Sequence, residues 1–179
     1  MQQSWGISIA ACIMSIVFMF MIVCCFGRKY PINMILLLCF TLCESWMVAG
    51  LTCAYEPKLV CIAGAATALA TTALTIYAYR TKTSIEVFGA LAFVVYLAML
   101  PLMIISLFVG LGALYTLYCC LGLLLYSLFL IIDTMMICGK GKSAGGYGID
   151  MNDYVLGAMM LYLDIVMIFV YILQILGSR

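Results

Sequence analysis

Three acidic residues of this sequence lie within or next to long apolar stretches. Glu44 is the single charge between residues 32 and 54, Asp133 directly follows forty-six uncharged residues, and Asp164 is the single charge between residues 154 and 176. An ionised acid near the middle of a membrane helix costs about 2.5–3.5 kcal/mol, so it is expected to face the bundle interior, to be paired or to carry a proton. These carboxyl groups are therefore the groups that would do chemistry.

The composition indicates that the apolar stretches cross a membrane. Of 179 residues, 68% are hydrophobic and 8% charged, and the mean hydropathy is +1.28. A soluble domain is about half apolar and a quarter charged. The net charge of +1 provides no field for recruiting nucleic acid. The sequence has no histidine, which excludes His-based acid–base catalysis, His-containing metal sites and His pH sensors.

Six apolar segments are long enough to cross about 30 Å of hydrocarbon. The uncharged residues 87–132 would extend about 69 Å as one helix, so they must fold back, and Gly110 and Gly112 mark the expected turn. Pro101 is expected to kink the first leg rather than end it. The predicted spans are residues 5–26, 32–54, 59–79, the two legs within 87–132, and 154–176. We predict an all-α fold, a six-helix membrane bundle forming one integral membrane domain, residues 1–179.

The distribution of lysine and arginine predicts the orientation of the chain. The loops after spans one, three and five hold Arg28, Lys29, Arg80, Lys82, Lys140 and Lys142. The loops and tails on the other side hold Lys58 and Arg179. Because positive residues favour the cytosol, the first set is predicted to be cytosolic and both termini lumenal.

The depths of the acids predict that two of them can face each other. Asp133 lies about 8 Å inside span five, Asp164 about 15 Å inside span six and Glu44 about 18 Å inside span two, each measured from the cytosolic end. Spans five and six are consecutive and antiparallel, so Asp133 and Asp164 can meet in the cytosolic half. Two like charges in a low dielectric cannot both ionise cheaply, so such a pair is expected to share one proton.

Loss of that proton would replace attraction by repulsion and would leave an oxygen-rich site for a hard cation such as Ca²⁺. We therefore predict a pH-gated cation leak, with Asp133, Asp164 and Glu44 as gating and ion-binding residues. Asp133 and Asp164 would be transient Ca²⁺ ligands, with Ca²⁺ as the permeant ion and no cofactor. In the alternative interpretation, each acid hydrogen-bonds a backbone carbonyl or a tyrosine hydroxyl and holds helices together.

The remaining patterns indicate packing rather than chemistry. Most of the ten cysteines lie in apolar helices and no CxxC pair is present, which argues against a zinc site. Cys53 and Cys61 flank a short lumenal loop, where an oxidising compartment permits a disulfide without requiring it. The small residues 64–73 predict close approach of a neighbouring helix. Residues 140–143 resemble the end of a phosphate-binding loop, but Met136 replaces its first glycine.

Five segments resemble the Bax inhibitor (lifeguard) family. Asp133-Thr134, residues 153–158 (DYVLGA) and residues 161–165 (LYLDI) resemble its last two helices. Residues 28–33 (RKYPIN) resemble its basic, aromatic-proline loop, and residues 40–44 (FTLCE) resemble the helix after it. The resemblance covers nearly the whole chain, and the middle helices match mainly in hydropathy.

The resemblance implies a helical bundle enclosing a central helix, in which Asp133 and Asp164 form a di-aspartyl pH latch that controls a calcium leak. It also implies the lipid bilayer and calcium ions as partners, with endoplasmic reticulum or Golgi membranes as the location. Eukaryotic members of this family are associated with lowered store calcium and with protection from programmed cell death.

The chain departs from the family pattern in two ways. Members usually have seven helices and this chain begins at a position similar to their second, so we expect the first helix to be lacking, in a natural short form or a truncated gene model. Met135 stands where many relatives have glutamine, and Val166-Met167 lacks an asparagine that often follows the last aspartate. Fewer polar neighbours predict a latch that is closed at neutral pH, because desolvation favours the protonated pair.

Three functions are weighed for such a chain. The first is the pH-sensitive calcium leak, and the second is a non-conducting scaffold that regulates cell survival by binding other membrane proteins. The third is an intramembrane hydrolase, which we disfavour because the sequence has no histidine and neither aspartate follows a glycine.

Overall fold

The chain forms long helices in a computed structural model that describes residues 2–26, 29–109, 112–139 and 153–178. Within those ranges no strand occurs. The helices are α1 (Gln2–Met21), α2 (Ile32–Thr52), α3 (Pro57–Arg80), α4 (Ile85–Val109), α5 (Gly112–Ile137) and α6 (Tyr154–Gly177). A π-helical segment, Ile22–Phe26, follows α1 directly.

The helices have the length and composition of membrane spans. In the described part of the chain, six are long and apolar enough to cross a membrane. Large apolar side chains such as Phe20, Leu69 and Phe93 are exposed on their outer faces, which suits contact with lipid rather than water. The prediction of an all-α, six-helix integral membrane protein is therefore confirmed.

The long uncharged run is divided where its glycines predicted. Helix α4 ends at Val109 and α5 begins at Gly112. Pro101 lies inside α4 and does not end it. Gly110 lies outside the described residues, as do Arg28, Arg179 and the segment 140–143 that holds Lys140 and Lys142.

The residues group into two compact units, which we describe separately. The first unit comprises Met1–Pro57 and Asp150–Met159. Within it, α1 packs against α2, and Leu36 and Phe40 of α2 are buried. The buried Asn33 donates a hydrogen bond from Nδ2 to the Tyr154 hydroxyl over 3.2 Å. This contact joins two of the segments on which the family resemblance was based.

The second unit comprises Lys58–Ile149 and Met160–Arg179 and contains an apolar core. Helix α4 presents one face to this core, because its buried residues recur at intervals of three and four. The core residues are Ala78 of α3, Phe88, Ala92, Val95 and Met99 of α4, and Leu125, Leu128, Ile131 and Met135 of α5. This packing holds α5 by one side and leaves its other side for polar contacts.

The small residues of α3 border a groove within the second unit. Gly64, Thr67, Ala68 and Thr71 line it from α3, and Ile165, Val166 and Phe169 line it from α6. The groove has a volume of about 450 Å³. The Thr67 and Thr71 hydroxyls are bonded to backbone carbonyls of α3, so the groove has an apolar character.

Candidate functional site

Asp133 of α5 and Asp164 of α6 meet inside the second unit. The two side chains are 7% and 5% exposed, and their carboxyl groups interact through a side-chain hydrogen bond. An ionised carboxylate only accepts hydrogen bonds, so a bond between two carboxyl groups requires a proton on one of them. A contact of this kind between Asp133 and Asp164 is therefore expected to share one proton.

The pair is positioned by the antiparallel arrangement of α5 and α6. Near the other end of the two helices, the Cys119 thiol lies 3.4 Å from Gln174 Oε1 and the Thr116 hydroxyl lies 3.4 Å from the Ser178 hydroxyl. These contacts join the beginning of α5 to the end of α6. The same register brings residue 133 opposite residue 164.

Two buried oxygen atoms, one in the pair itself and one on the residue that follows Asp133, have no hydrogen-bond partner among the described residues. They are Asp164 Oδ2 and Thr134 Oγ1, and Thr134 is 6% exposed. A buried polar atom without a partner is costly, and a water molecule or an ion is the usual remedy. The two carboxyl groups supply fewer oxygen atoms than the six to eight ligands that Ca²⁺ takes. This pair would therefore hold the ion only together with water.

Glu44 lies in α2, within the first unit. It is half-buried and follows the beginning of the helix at Ile32 by three turns. The aspartate pair belongs to the second unit. A gating role for Glu44 stays a prediction.

Two tyrosines that share helix faces with the aspartates were not identified from the sequence. Tyr171 is buried, Tyr126 is half-buried, and their rings are 5.8 Å apart at 34°. Tyr126 also lies within electrostatic range of Asp164. A sequence signal existed, because Tyr126 precedes Asp133 by seven residues and Tyr171 follows Asp164 by seven. Seven residues are nearly two helical turns, so each tyrosine shares a helix face with an aspartate.

The cysteines differ in exposure and are free thiols in the described part of the chain. Cys53 and Cys61, which flank the predicted lumenal loop, are both exposed and unpaired with each other. Cys119 is fully buried against Gln174. Among the described residues, no group of three or more Cys, Asp or Glu side chains is arranged to hold a metal ion.

The sequence is similar to that of known proteins. The profile of the family described as "Inhibitor of apoptosis-promoting Bax1" matches residues 1–179. The chain is 34% identical to protein lifeguard 3 of Mus musculus over 162 residues, which are 87% of this chain and 51% of the relative. It is 33% identical to the Homo sapiens protein of the same name, with the same coverage.

A viral relative is also similar. The Golgi anti-apoptotic protein of Vaccinia virus (strain Lister) is 30% identical over 149 residues, which are 83% of this chain and 60% of the relative. The chain thus spans about half the length of the lifeguard proteins that it matches.

Proposed function

The chain belongs to the Bax inhibitor family, and on that basis we propose that it is a pH-sensitive calcium leak of internal membranes that restrains programmed cell death. The observation that supports the leak is the contact between Asp133 and Asp164, two buried acids on consecutive membrane helices. The protective role is supported by the name of the viral relative, an anti-apoptotic protein of the Golgi.

In the proposed mechanism, the shared proton holds α5 and α6 together near their cytosolic ends. While the proton is present, the hydrogen bond between the carboxyl groups is attractive, and the leak is closed. As the pH rises and the proton leaves, two negative charges lie at hydrogen-bonding range in a low dielectric and repel each other. The contact then opens, and the two carboxylates and water become oxygen ligands for a passing Ca²⁺ ion.

The test is a flux measurement on the purified chain in liposomes that contain a calcium dye. We expect flux to be low at and below neutral pH and to increase between about pH 7 and pH 8, because the pair loses its proton in that direction. In Asp133→Asn or Asp164→Asn, the amide donates a hydrogen bond to the remaining carboxylate without titrating. Each variant should therefore show low flux that does not depend on pH.

Glu86→Gln is the matched control, since Glu86 is an exposed carboxylate in the first turn of α4. It should keep the pH dependence of the parent chain. Full opening at about pH 6 would contradict the proposed direction of gating. Absence of flux in every form, with the helices intact by circular dichroism, would favour the non-conducting scaffold instead.

The proposed cellular role is tested separately. Cells that express the parent chain should have lower store calcium and survive a death stimulus better than cells that express Asp164→Asn, because the variant keeps the contact closed. Equal survival with both forms would show that the protective role does not depend on the leak. Microscopy with organelle markers would locate the chain, and we expect the endoplasmic reticulum or the Golgi.

A further inference from the structure

Polar side chains occur at several levels of the interface between α5 and α6, from the aspartate pair to the other end of the two helices. Thr116 and Asp133 are seventeen residue steps apart, or about 26 Å along the helix, which is nearly the thickness of the hydrocarbon core. We use the term polar seam for Thr116, Tyr118, Cys119, Tyr126 and Asp133 of α5 with Asp164, Tyr171, Gln174 and Ser178 of α6.

The members of the polar seam contact one another at successive levels. The Tyr118 and Tyr171 side chains share a hydrogen bond, with ring centroids 6.3 Å apart. One level further from the aspartates, Cys119 contacts Gln174, and at the end of the helices Thr116 contacts Ser178. Polar residues inside a membrane bundle often mark the pathway of an ion.

The polar seam is closed at one level by an aromatic ring. Tyr171 packs directly on the backbone of Gly122, where a methyl group would lie 2.8 Å from the ring atom Cε2 and closer still to Cε1 and Cζ. Tyr118 and Tyr126 of α5 both pack against the same ring. Only a residue without a side chain at position 122 lets the Tyr171 ring occupy this place.

We infer that the polar seam is the route of the cation across the membrane, and that Tyr171, seated on Gly122, is a second barrier on this route. The inference rests on the proposed leak for its physiological meaning. The aspartate pair would close the route near the cytosol, and the Tyr171 ring would close it between the pair and the lumenal end. Cys119 lies on the lumenal side of the ring, fully buried, and is a natural probe of whether the seam admits water and ions.

The experiment measures modification of Cys119 by a small cationic thiosulfonate that does not cross lipid, with the full chain in liposomes and each cysteine quantified by mass spectrometry. In the parent chain Cys119 should be protected. In Tyr171→Ala its modification should be at least about tenfold faster, because the reactivity of a thiol follows its exposure. Tyr96→Ala, on the exposed face of α4, is the matched control and should leave Cys119 protected.

A second variant separates opening of the seam from loss of the fold. Gly122→Ala displaces the Tyr171 ring without removing it and should also expose Cys119. The half-buried Cys39 and Cys43 of α2 are the reporters of general unfolding, which should raise their modification together with that of Cys119. Selective modification of Cys119 in either variant supports the seam. If Cys119 is selectively modified in neither variant, the seam is overturned.

The same liposomes distinguish this inference from the proposed function. Calcium flux that increases severalfold in Tyr171→Ala, together with exposure of Cys119, supports both. Exposure of Cys119 to the cationic thiosulfonate without calcium flux in any form would support the seam as a route for a small cation and overturn the calcium leak. Flux with Cys119 protected in both variants would support a leak by another route and overturn the seam.

Discussion

At the scale of single residues, the site combines one satisfied contact with two unsatisfied oxygens. Asp133 and Asp164 provide each other with a hydrogen bond that lipid cannot provide, which explains how two acids are tolerated at this depth. Thr134 Oγ1 and Asp164 Oδ2 are buried without such a partner. Unsatisfied groups of this kind reduce stability, and they persist where function requires them.

Replacement of Thr134 by valine should therefore stabilise the protein. The change removes an unpaired buried hydroxyl and keeps the shape of the side chain, so we expect the free energy of unfolding to rise by about 1 kcal/mol. Thermal unfolding in detergent micelles measures the effect. Thr67→Val is the matched control, because the buried Thr67 hydroxyl donates to the Ala63 carbonyl over 2.8 Å and its loss should not stabilise. A lower unfolding midpoint for Thr134→Val would show that the Thr134 hydroxyl has a hydrogen-bond partner in the folded protein.

At the scale of elements, α5 is the helix that joins the apolar core to the polar seam. Leu125, Leu128, Ile131 and Met135 face α3 and α4, whereas Asp133 faces α6. The two faces share one rigid helix, so packing on the apolar face holds the aspartate in register. Damage to the core should therefore weaken both the fold and the site.

Met135→Ala tests this coupling. Met135 is almost fully buried in the core, so its truncation should lower the free energy of unfolding by at least about 2 kcal/mol, through lost contacts and a cavity. Leu124→Ala shortens an exposed side chain of the same helix and should have little effect. Denaturant titration in micelles compares the two variants. Equal midpoints would mean that α5 is not held by this face.

The glycines of the helices should also differ in their tolerance of a side chain. Gly64 of α3 has open space where a side chain would project, so Gly64→Ala should be neutral or slightly stabilising, by up to about 1 kcal/mol. The same substitution at Gly122 would place a methyl group against the Tyr171 ring and should destabilise. Thermal midpoints measured side by side decide this, and similar midpoints for the two variants would contradict the close approach at Gly122.

At the scale of the whole molecule, the number of spans and the charges of the loops predict which loops share a side of the membrane. Cys53 directly follows α2 and Cys61 lies near the beginning of α3, whereas Cys138 follows the end of α5. All three thiols are exposed. Chemical labelling of these natural cysteines therefore tests the topology directly.

A maleimide that does not cross lipid should modify Cys53 and Cys61 from one side of sealed vesicles and Cys138 from the other. The physical reason is the odd number of spans, three, between Cys61 and Cys138. Permeabilised vesicles, in which all three thiols should react, are the control. Modification of Cys61 and Cys138 from the same side would refute the six-span topology.

Length and hydropathy are sufficient to identify the class of protein and the positions of its spans. About twenty apolar residues are needed to cross the hydrocarbon core, and a helix satisfies all its backbone hydrogen bonds within one segment, so hydropathy predicts helical spans directly. The amino-acid sequence also identifies Asp133 and Asp164 as unusual, because acids at such depth are costly whatever their partners.

What those acids contact depends on how the helices pack, which the amino-acid sequence does not reveal. Glu44, Asp133 and Asp164 look alike in the sequence, and which of them pair depends on how each helix is rotated about its axis. Apolar residues occupy nearly all faces of these helices, so hydropathy carries little information about the rotation of each helix about its axis. The contact of Tyr171 with Gly122 was equally hidden, because tyrosine and glycine are ordinary residues of membrane helices and only their register across two helices gives them a role.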